Sequence, residues 1–140
     1  MSTIGAGLRI VFGFAIAVLT AGLVQTLFVM TPTELAADRE SWPNAGLLAL
    51  YAATHTAVFA APVALLPILA AEWLSLRGWL YFSLLGLAVA GAGFTLQYMG
   101  ESGPPTIMND YALKAFLSAG LAAGLAYWMT SGRFSGKAEA

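Results

Sequence analysis

The chain has 140 residues, of which 59% are hydrophobic and only 9% are charged. A soluble domain carries about 25% charged residues, so this chain lacks the polar surface of a soluble fold and is expected to be an integral membrane protein. The net charge of −1, without a basic run, argues against nucleic-acid binding, and the absence of cysteine excludes disulfides, thiolate catalysis and cysteine-ligated metal.

Four apolar segments predict an all-α bundle of four transmembrane helices in a single transmembrane domain, residues 1–140. The segments cover about residues 10–30, 46–71, 78–99 and 111–129. A spanning helix needs roughly 20 mostly apolar residues, and each segment is long enough. None alternates polar and apolar residues as the strands of a membrane barrel do, so helices are expected.

The first segment is expected to be a spanning helix. It follows Arg9 and is longer than the 7–15-residue apolar core of a signal peptide. Small residues recur at every fourth position along it and end in an amide, in the order Gly13, Ala17, Ala21 and Gln25. Such a face lets a neighbouring helix approach closely in a membrane.

The loop TPTELAADRESWPN, which follows the first segment, predicts a short amphipathic helix on the outer surface. Thr31 can cap a helix, Pro32 suits the first helical position, and Glu34 completes a capping box. We expect this helix over about residues 32–40. Pro43 is expected to end the loop and to start the second span.

The second segment holds the only histidine of the chain, His55. Tyr51, His55 and Phe59 recur every four residues and therefore share one helix face. Pro62 and Pro67 interrupt the backbone hydrogen bonds of the same segment, which predicts a kink or a wide turn.

A connection of a few residues, around 75–78, makes the second and third spans antiparallel neighbours. The third span carries one small-residue face that again ends in an amide, made of Gly86, Ala90, Gly93 and Gln97. The stretch GESGPPTIMND then predicts a Gly/Pro turn with a helix cap at Thr106 or Asn109. The GxxxG pair of the fourth span, Gly120 and Gly124, predicts either packing within the chain or a dimer face.

Basic residues predict the orientation. Four of them fall on one side of the predicted bundle, namely Arg9, Arg77, Arg133 and Lys137, whereas only Arg39 and Lys114 fall on the other. Because cytoplasmic loops carry the excess of lysine and arginine, both termini are expected in the cytoplasm of a bacterial inner membrane.

Polar side chains inside predicted spans point to a site, because they are costly in lipid. They gather toward the outer ends of the spans, and the candidate ligand-binding residues are His55, Tyr51, Gln25, Gln97 and Lys114. Each also has a structural interpretation. The glutamines can hydrogen-bond between helices, Lys114 can reach the surface and pair with Asp110, and a neutral His55 can be satisfied inside the bundle.

The function hypotheses rest on the sequence motifs that the chain lacks. No nucleophile–base set, phosphate loop or clustered metal ligands appear, so neither a catalytic nor a metal site is expected, and no cofactor. We therefore expect a non-catalytic accessory, assembly or anchoring subunit of a membrane complex, or a homo-oligomer, whose partners are the lipid bilayer and other membrane chains or copies of itself. One alternative is a small-molecule transporter or channel with an outer-facing pocket around His55. A second is a quinone- or haem-linked protein, although membrane haems usually take two histidines.

Overall fold

The computed structural model describes residues 3–100 and 110–136, and over these ranges the chain is helical, with no strand. Five α-helices follow in chain order: α1 Thr3–Val29, α2 Pro32–Ala37, α3 Trp42–Leu74, α4 Trp79–Gly100 and α5 Asp110–Thr130. Two 3-10 turns, Arg39–Ser41 and Gly132–Phe134, follow α2 and α5. The all-α prediction is confirmed. The predicted turn before α5, with its cap at Thr106 or Asn109, lies outside the described residues, as does Lys137.

Four of these helices, α1, α3, α4 and α5, are long and apolar enough to cross a membrane. α1 begins several residues before the predicted position, so that Arg9 lies within it. α3 also begins early, at Trp42, because Pro43 is accommodated in the first helical turn, where its missing N–H costs nothing. With 33 residues α3 is about 50 Å long, and it continues through Pro62 and Pro67.

The short helix α2 is held by the predicted capping box. The Thr31 hydroxyl accepts a hydrogen bond from the backbone N–H of Glu34 at 3.4 Å, and the Glu34 carboxylate accepts one from the backbone N–H of Thr31 at 2.8 Å. The α-helix ends at Ala37, and a 3-10 turn completes the segment. The indole N–H of Trp42 donates to the Leu35 carbonyl at 2.8 Å, which ties α2 to the start of α3.

The four long helices form a ring that is open on one side. α1 packs extensively against α3 and α5, and α5 packs against α4, whereas α3 and α4 touch one another only sparsely. The connection between α3 and α4 is short, as predicted. The hydrogen bond that joins the two helices lies close to it, where the Tyr81 hydroxyl donates to the Pro67 carbonyl at 2.9 Å. The two helices are connected, yet they do not close the bundle.

Glycines set the closest helix contacts. A Cβ on Gly86 of α4 would overlap the carbonyl oxygen of Gly120, and a Cβ on Gly124 would overlap that of Phe82. The GxxxG pair of α5 therefore packs against α4 within the same chain, one of the two predicted outcomes. On α1 a Cβ at Gly22 would overlap the carbonyl oxygen of Ala49 on α3.

One end of the bundle, called here the ion-pair end, is closed by a salt bridge. The Arg9 guanidinium of α1 lies 2.5 Å from the Glu72 carboxylate of α3, and both side chains are largely buried. The same carboxylate accepts a hydrogen bond from the backbone N–H of Gly136 at 3.0 Å. The Ser131 hydroxyl donates to the Arg9 carbonyl at 2.6 Å. Residues far apart in the chain thus meet at this end.

The segment of residues 131–136 folds across the ion-pair end. The Arg77 guanidinium donates to the Ser135 carbonyl at 2.8 Å, and the Trp128 indole donates to the Arg77 carbonyl at 2.8 Å. Gly132 lies against the ring of Phe82, the most completely buried large side chain of the core. The Ser83 hydroxyl, which is also buried, donates within α4 to the Trp79 carbonyl at 2.8 Å.

Replacing Gly86 with alanine is expected to lower the free energy of unfolding by about 1–3 kcal/mol, because the new methyl group must push α4 away from the Gly120 carbonyl. Gly91→Ala is the matched control on the same helix, since a Cβ there meets no atom within 4 Å. Denaturant titration in detergent micelles, followed by circular dichroism, measures both. Equal losses in the two variants would contradict the proposed packing role of Gly86.

Replacing Glu72 removes the carboxylate that the largely buried Arg9 guanidinium contacts. Glu72→Leu is expected to destabilise the protein by about 2–3 kcal/mol, somewhat less than a fully buried pair, because both side chains keep some exposure. The double variant Arg9→Met/Glu72→Leu is expected to recover part of this loss, since the buried guanidinium is then gone together with the carboxylate. A double-mutant cycle in the same unfolding assay tests this, and purely additive losses would show that the two side chains are not coupled.

Hydrogen bonds from the backbone and the hydroxyl of Thr31 hold the pKa of the Glu34 carboxyl below its ordinary value of 4.5. Because the folded value is the lower one, the contribution of the cap is complete above pH 4.5 and is lost as pH falls through the folded pKa. Thr31→Ala is expected to move the Glu34 pKa back toward 4.5, as measured by NMR titration of the labelled carboxyl. Thr33→Ala, which removes a neighbouring hydroxyl, is expected to leave that pKa in place.

Candidate functional site

The open side of the bundle is a cleft between α3 and α4 that all four long helices line. Its volume is about 880 Å³, within the range of about 300–1,000 Å³ that is typical of small-molecule sites. Along α4 its lining runs from Phe82 to Gly100, which are eighteen residues apart and therefore about 27 Å along the helix. The cleft is long, narrow and parallel to the helices.

The walls of the cleft are formed by small side chains on the faces that pack the helices together. Among them are Ala21 of α1, Ala60 and Ala64 of α3, and Ala90 and Gly93 of α4. The small-residue face of α4 packs against α5 in one part of the helix and borders open space in another. Gly86 touches the backbone of α5, whereas a Cβ on Gly93 would meet no atom within 4 Å. The cleft therefore widens toward Gln97.

The floor of the cleft is a packed aromatic and aliphatic layer. Phe82, Ile68 and Tyr127 line it, and all three are at least 96% buried. The Phe82 and Tyr127 rings pack with their centroids 5.3 Å apart. The Tyr127 hydroxyl is buried without a hydrogen-bond partner among the described residues, and the Arg9–Glu72 pair lies close by. The ion-pair end of the cleft is thereby closed.

Uncharged polar side chains surround the opposite end, called here the glutamine end. Gln25, Gln97, Tyr51 and His55 all line the cleft there. The Gln25 amide donates to the Thr56 hydroxyl at 3.2 Å, which joins α1 to α3. Gln25 and Gln97 do not meet, because α1 packs against α3 and α5 rather than α4, and the cleft separates the two amides.

His55 lies at the edge of the cleft in a row of rings along α3. Its ring centroid is 6.2 Å from that of Tyr51, with the rings nearly parallel, and 4.8 Å from that of Phe59. The side chain is exposed in the isolated chain, and no described residue hydrogen-bonds to either ring nitrogen. Neither nitrogen is therefore taken up by a hydrogen bond within residues 3–100 and 110–136.

The fifth predicted site residue, Lys114, lies elsewhere. It is exposed on α5 and does not line the cleft, and none of the described residues forms an ion pair with it. Tyr127 lines the cleft but was not among the predicted site residues. The signal was present, because Gly120, Gly124 and Tyr127 are spaced by four and three residues and so share one face of α5.

The lining determines which chemistry the cleft can perform. Over residues 3–100 and 110–136, no aspartate, glutamate, lysine or arginine is among the residues that line it. Within residues 3–100 and 110–136, no three histidine, cysteine, aspartate or glutamate side chains are grouped to hold a metal ion. The cleft offers an apolar surface, aromatic rings and neutral hydrogen-bonding groups. No protein-family model, curated protein or solved structure matches the chain.

Proposed function

We propose that this chain is a non-enzymatic membrane protein that binds an apolar or amphipathic small molecule in the cleft between α3 and α4. The observation that carries the proposal is the cleft itself, a space of about 880 Å³ lined by all four long helices. A bundle built only for stability would bring α3 and α4 together, because close packing is what stabilises helices in lipid.

The placement in a membrane is supported by the outer surface of the bundle. Large apolar side chains are exposed on every long helix, for example Phe12, Leu66, Leu84 and Leu121. Such a continuous apolar surface suits lipid and not water. The described arginines near the chain termini and the α3–α4 connection lie together at the ion-pair end, so we place that end in the cytoplasm of a bacterial inner membrane, with both termini.

The shape of the cleft favours a binding site or a one-sided carrier over a continuous channel. The cleft is lined by polar groups at the glutamine end, and it ends on the packed layer of Phe82, Ile68 and Tyr127. The segment of residues 131–136 lies beyond that layer. A molecule could enter from the outer side or from the lipid, but this conformation gives it no path to the cytoplasm.

A second candidate function is that of an accessory, assembly or anchoring subunit, or of a homo-oligomer. It is favoured by the sideways opening of the cleft between α3 and α4, which a helix of another membrane chain could fill. Both functions assign an occupant to the same space. They differ in whether that occupant is a small molecule or a protein.

Filling the cleft separates these possibilities. Gly93→Leu places a large side chain in the cleft, whereas Gly91→Leu adds the same side chain on the same helix at a position that does not line it. Native mass spectrometry from mild detergent is expected to show a small-molecule adduct on the wild-type chain and on Gly91→Leu, and at least a tenfold lower fraction on Gly93→Leu.

A mass in the same experiment that corresponds to an assembly of chains would favour the second function. A dimer or a complex with another protein, disrupted by Gly93→Leu and not by Gly91→Leu and carrying no small-molecule adduct, would identify the cleft as a protein interface. Adducts that are equal in all three proteins would overturn the proposed binding site.

A further inference from the structure

We infer that the ligand of the cleft is a neutral lipid with a planar, carbonyl-bearing head and one long tail, as in an isoprenoid quinone. The inference rests on the proposed function and names the chemical class that this site accepts. It follows from the charge of the lining, the groups at the glutamine end and the length of the cleft.

The charge of the lining excludes ionic head groups. Phosphate and carboxylate groups are held in proteins by arginine, lysine or arrays of N–H donors, and none of the described residues that line the cleft is charged. Lys114, the one basic residue of the described part of α5, lies outside it. Burying an unpaired charge among alanines and glycines is strongly unfavourable. The head group is therefore neutral.

The glutamine end supplies hydrogen-bonding groups that suit carbonyl oxygens. The Gln97 amide and the His55 imidazole lie on opposite walls, α4 and α3, and neither is hydrogen-bonded to another described residue. An amide and a neutral imidazole each carry both a donor and an acceptor. The same pair can donate to the two carbonyls of a quinone and can accept from the hydroxyls of its reduced form.

The row of rings on α3 provides a surface for a planar head. Tyr51 and Phe59 flank His55 on the helix face that borders the cleft, and all three line it. Flat conjugated groups pack favourably against aromatic side chains in offset or tilted arrangements. A head that inserts beside these rings lies within reach of the His55 nitrogens, so one position satisfies both stacking and hydrogen bonding.

The length of the cleft favours a long tail. From Gln97 to Phe82 the cleft extends about 22 Å along α4, whereas one leaflet of the hydrocarbon core is only about 15 Å thick. A lipid tail that fills the cleft therefore passes the midplane of the bilayer, which an ordinary acyl chain of one leaflet does not. The sideways opening between α3 and α4 lets such a tail enter directly from the bilayer.

Competition between defined probes tests the class of ligand. The delipidated protein is mixed with a long-tailed ubiquinone, and adducts are counted by native mass spectrometry. A polyprenol of similar length, a saturated fatty acid and the tailless quinone head are then added as competitors. We expect one ubiquinone per chain and at least tenfold weaker competition from each of the other three, because each lacks the carbonyl head, the neutral head or the tail.

Two matched pairs of variants test the head position. His55→Ala and Gln97→Leu are each expected to weaken ubiquinone binding by about tenfold, the effect of losing one hydrogen bond together with part of the stacking. Thr54→Ala and Thr95→Val are the controls. Their hydroxyls are exposed, bond within their own helices and do not line the cleft, so binding is expected to be unchanged.

The outcomes distinguish this inference from the proposed function. If the fatty acid or the polyprenol binds as tightly as ubiquinone, and Gly93→Leu abolishes that binding, the cleft is a lipid site but the quinone assignment is wrong. If His55→Ala and Thr54→Ala bind alike, the head position is wrong. If no probe binds, and Gly93→Leu and Gly91→Leu show the same adducts as the wild type, both the inference and the proposed function fail.

Discussion

The backbone contact between α4 and α5 is the interaction on which the rest of the arrangement depends. At Gly86, Gly120 and Gly124 the two helices approach so closely that no side chain fits between them. This contact holds α4 on the far side of α5 from α1. Because α3 is packed on the opposite side of α1, α3 and α4 diverge although only a short connection joins them. The cleft is thus a consequence of where the glycines lie.

The two ends of the bundle differ in how strongly they are cross-linked. At the ion-pair end, Arg9 and Glu72 join α1 to α3, and the segment of residues 131–136 adds hydrogen bonds to both. At the glutamine end the described side-chain hydrogen bonds between helices are few, chiefly Gln25 to Thr56 and Tyr111 to the Phe28 carbonyl. Polar contacts therefore seal one end of the cleft, and neutral groups remain available at the other. An amphipathic ligand with its head at the glutamine end fits this asymmetry.

The features that could be predicted from sequence depend on residues that are close in the chain. The capping box of Thr31 and Glu34 spans one helical turn, and these two residue types at this spacing are enough to predict it. The small-residue faces of α1 and α4 follow from helical periodicity alone. The pairing of Arg9 with Glu72 joins residues 63 positions apart, and no local pattern indicates it. The partner of Gln25 was likewise hidden, because it depends on which helix α1 faces. Lys114 was grouped with the cleft because depth along a helix can be read from sequence, whereas the direction of a side chain around the bundle cannot.

The sequence by itself determined that the chain forms four long apolar helices and a capped short one, since length, composition and one-turn motifs are sufficient for that. It also grouped Gln25, Gln97, Tyr51 and His55, and in the structure these four side chains line the same cleft. Only the tertiary structure decided that α3 and α4 stay apart and that His55 has no hydrogen-bond partner among the described residues. The physical reason is that glycine-mediated packing chooses among neighbours with similar apolar faces. Which helices become neighbours depends on how several backbones fit together in three dimensions, and this cannot be predicted from any single segment.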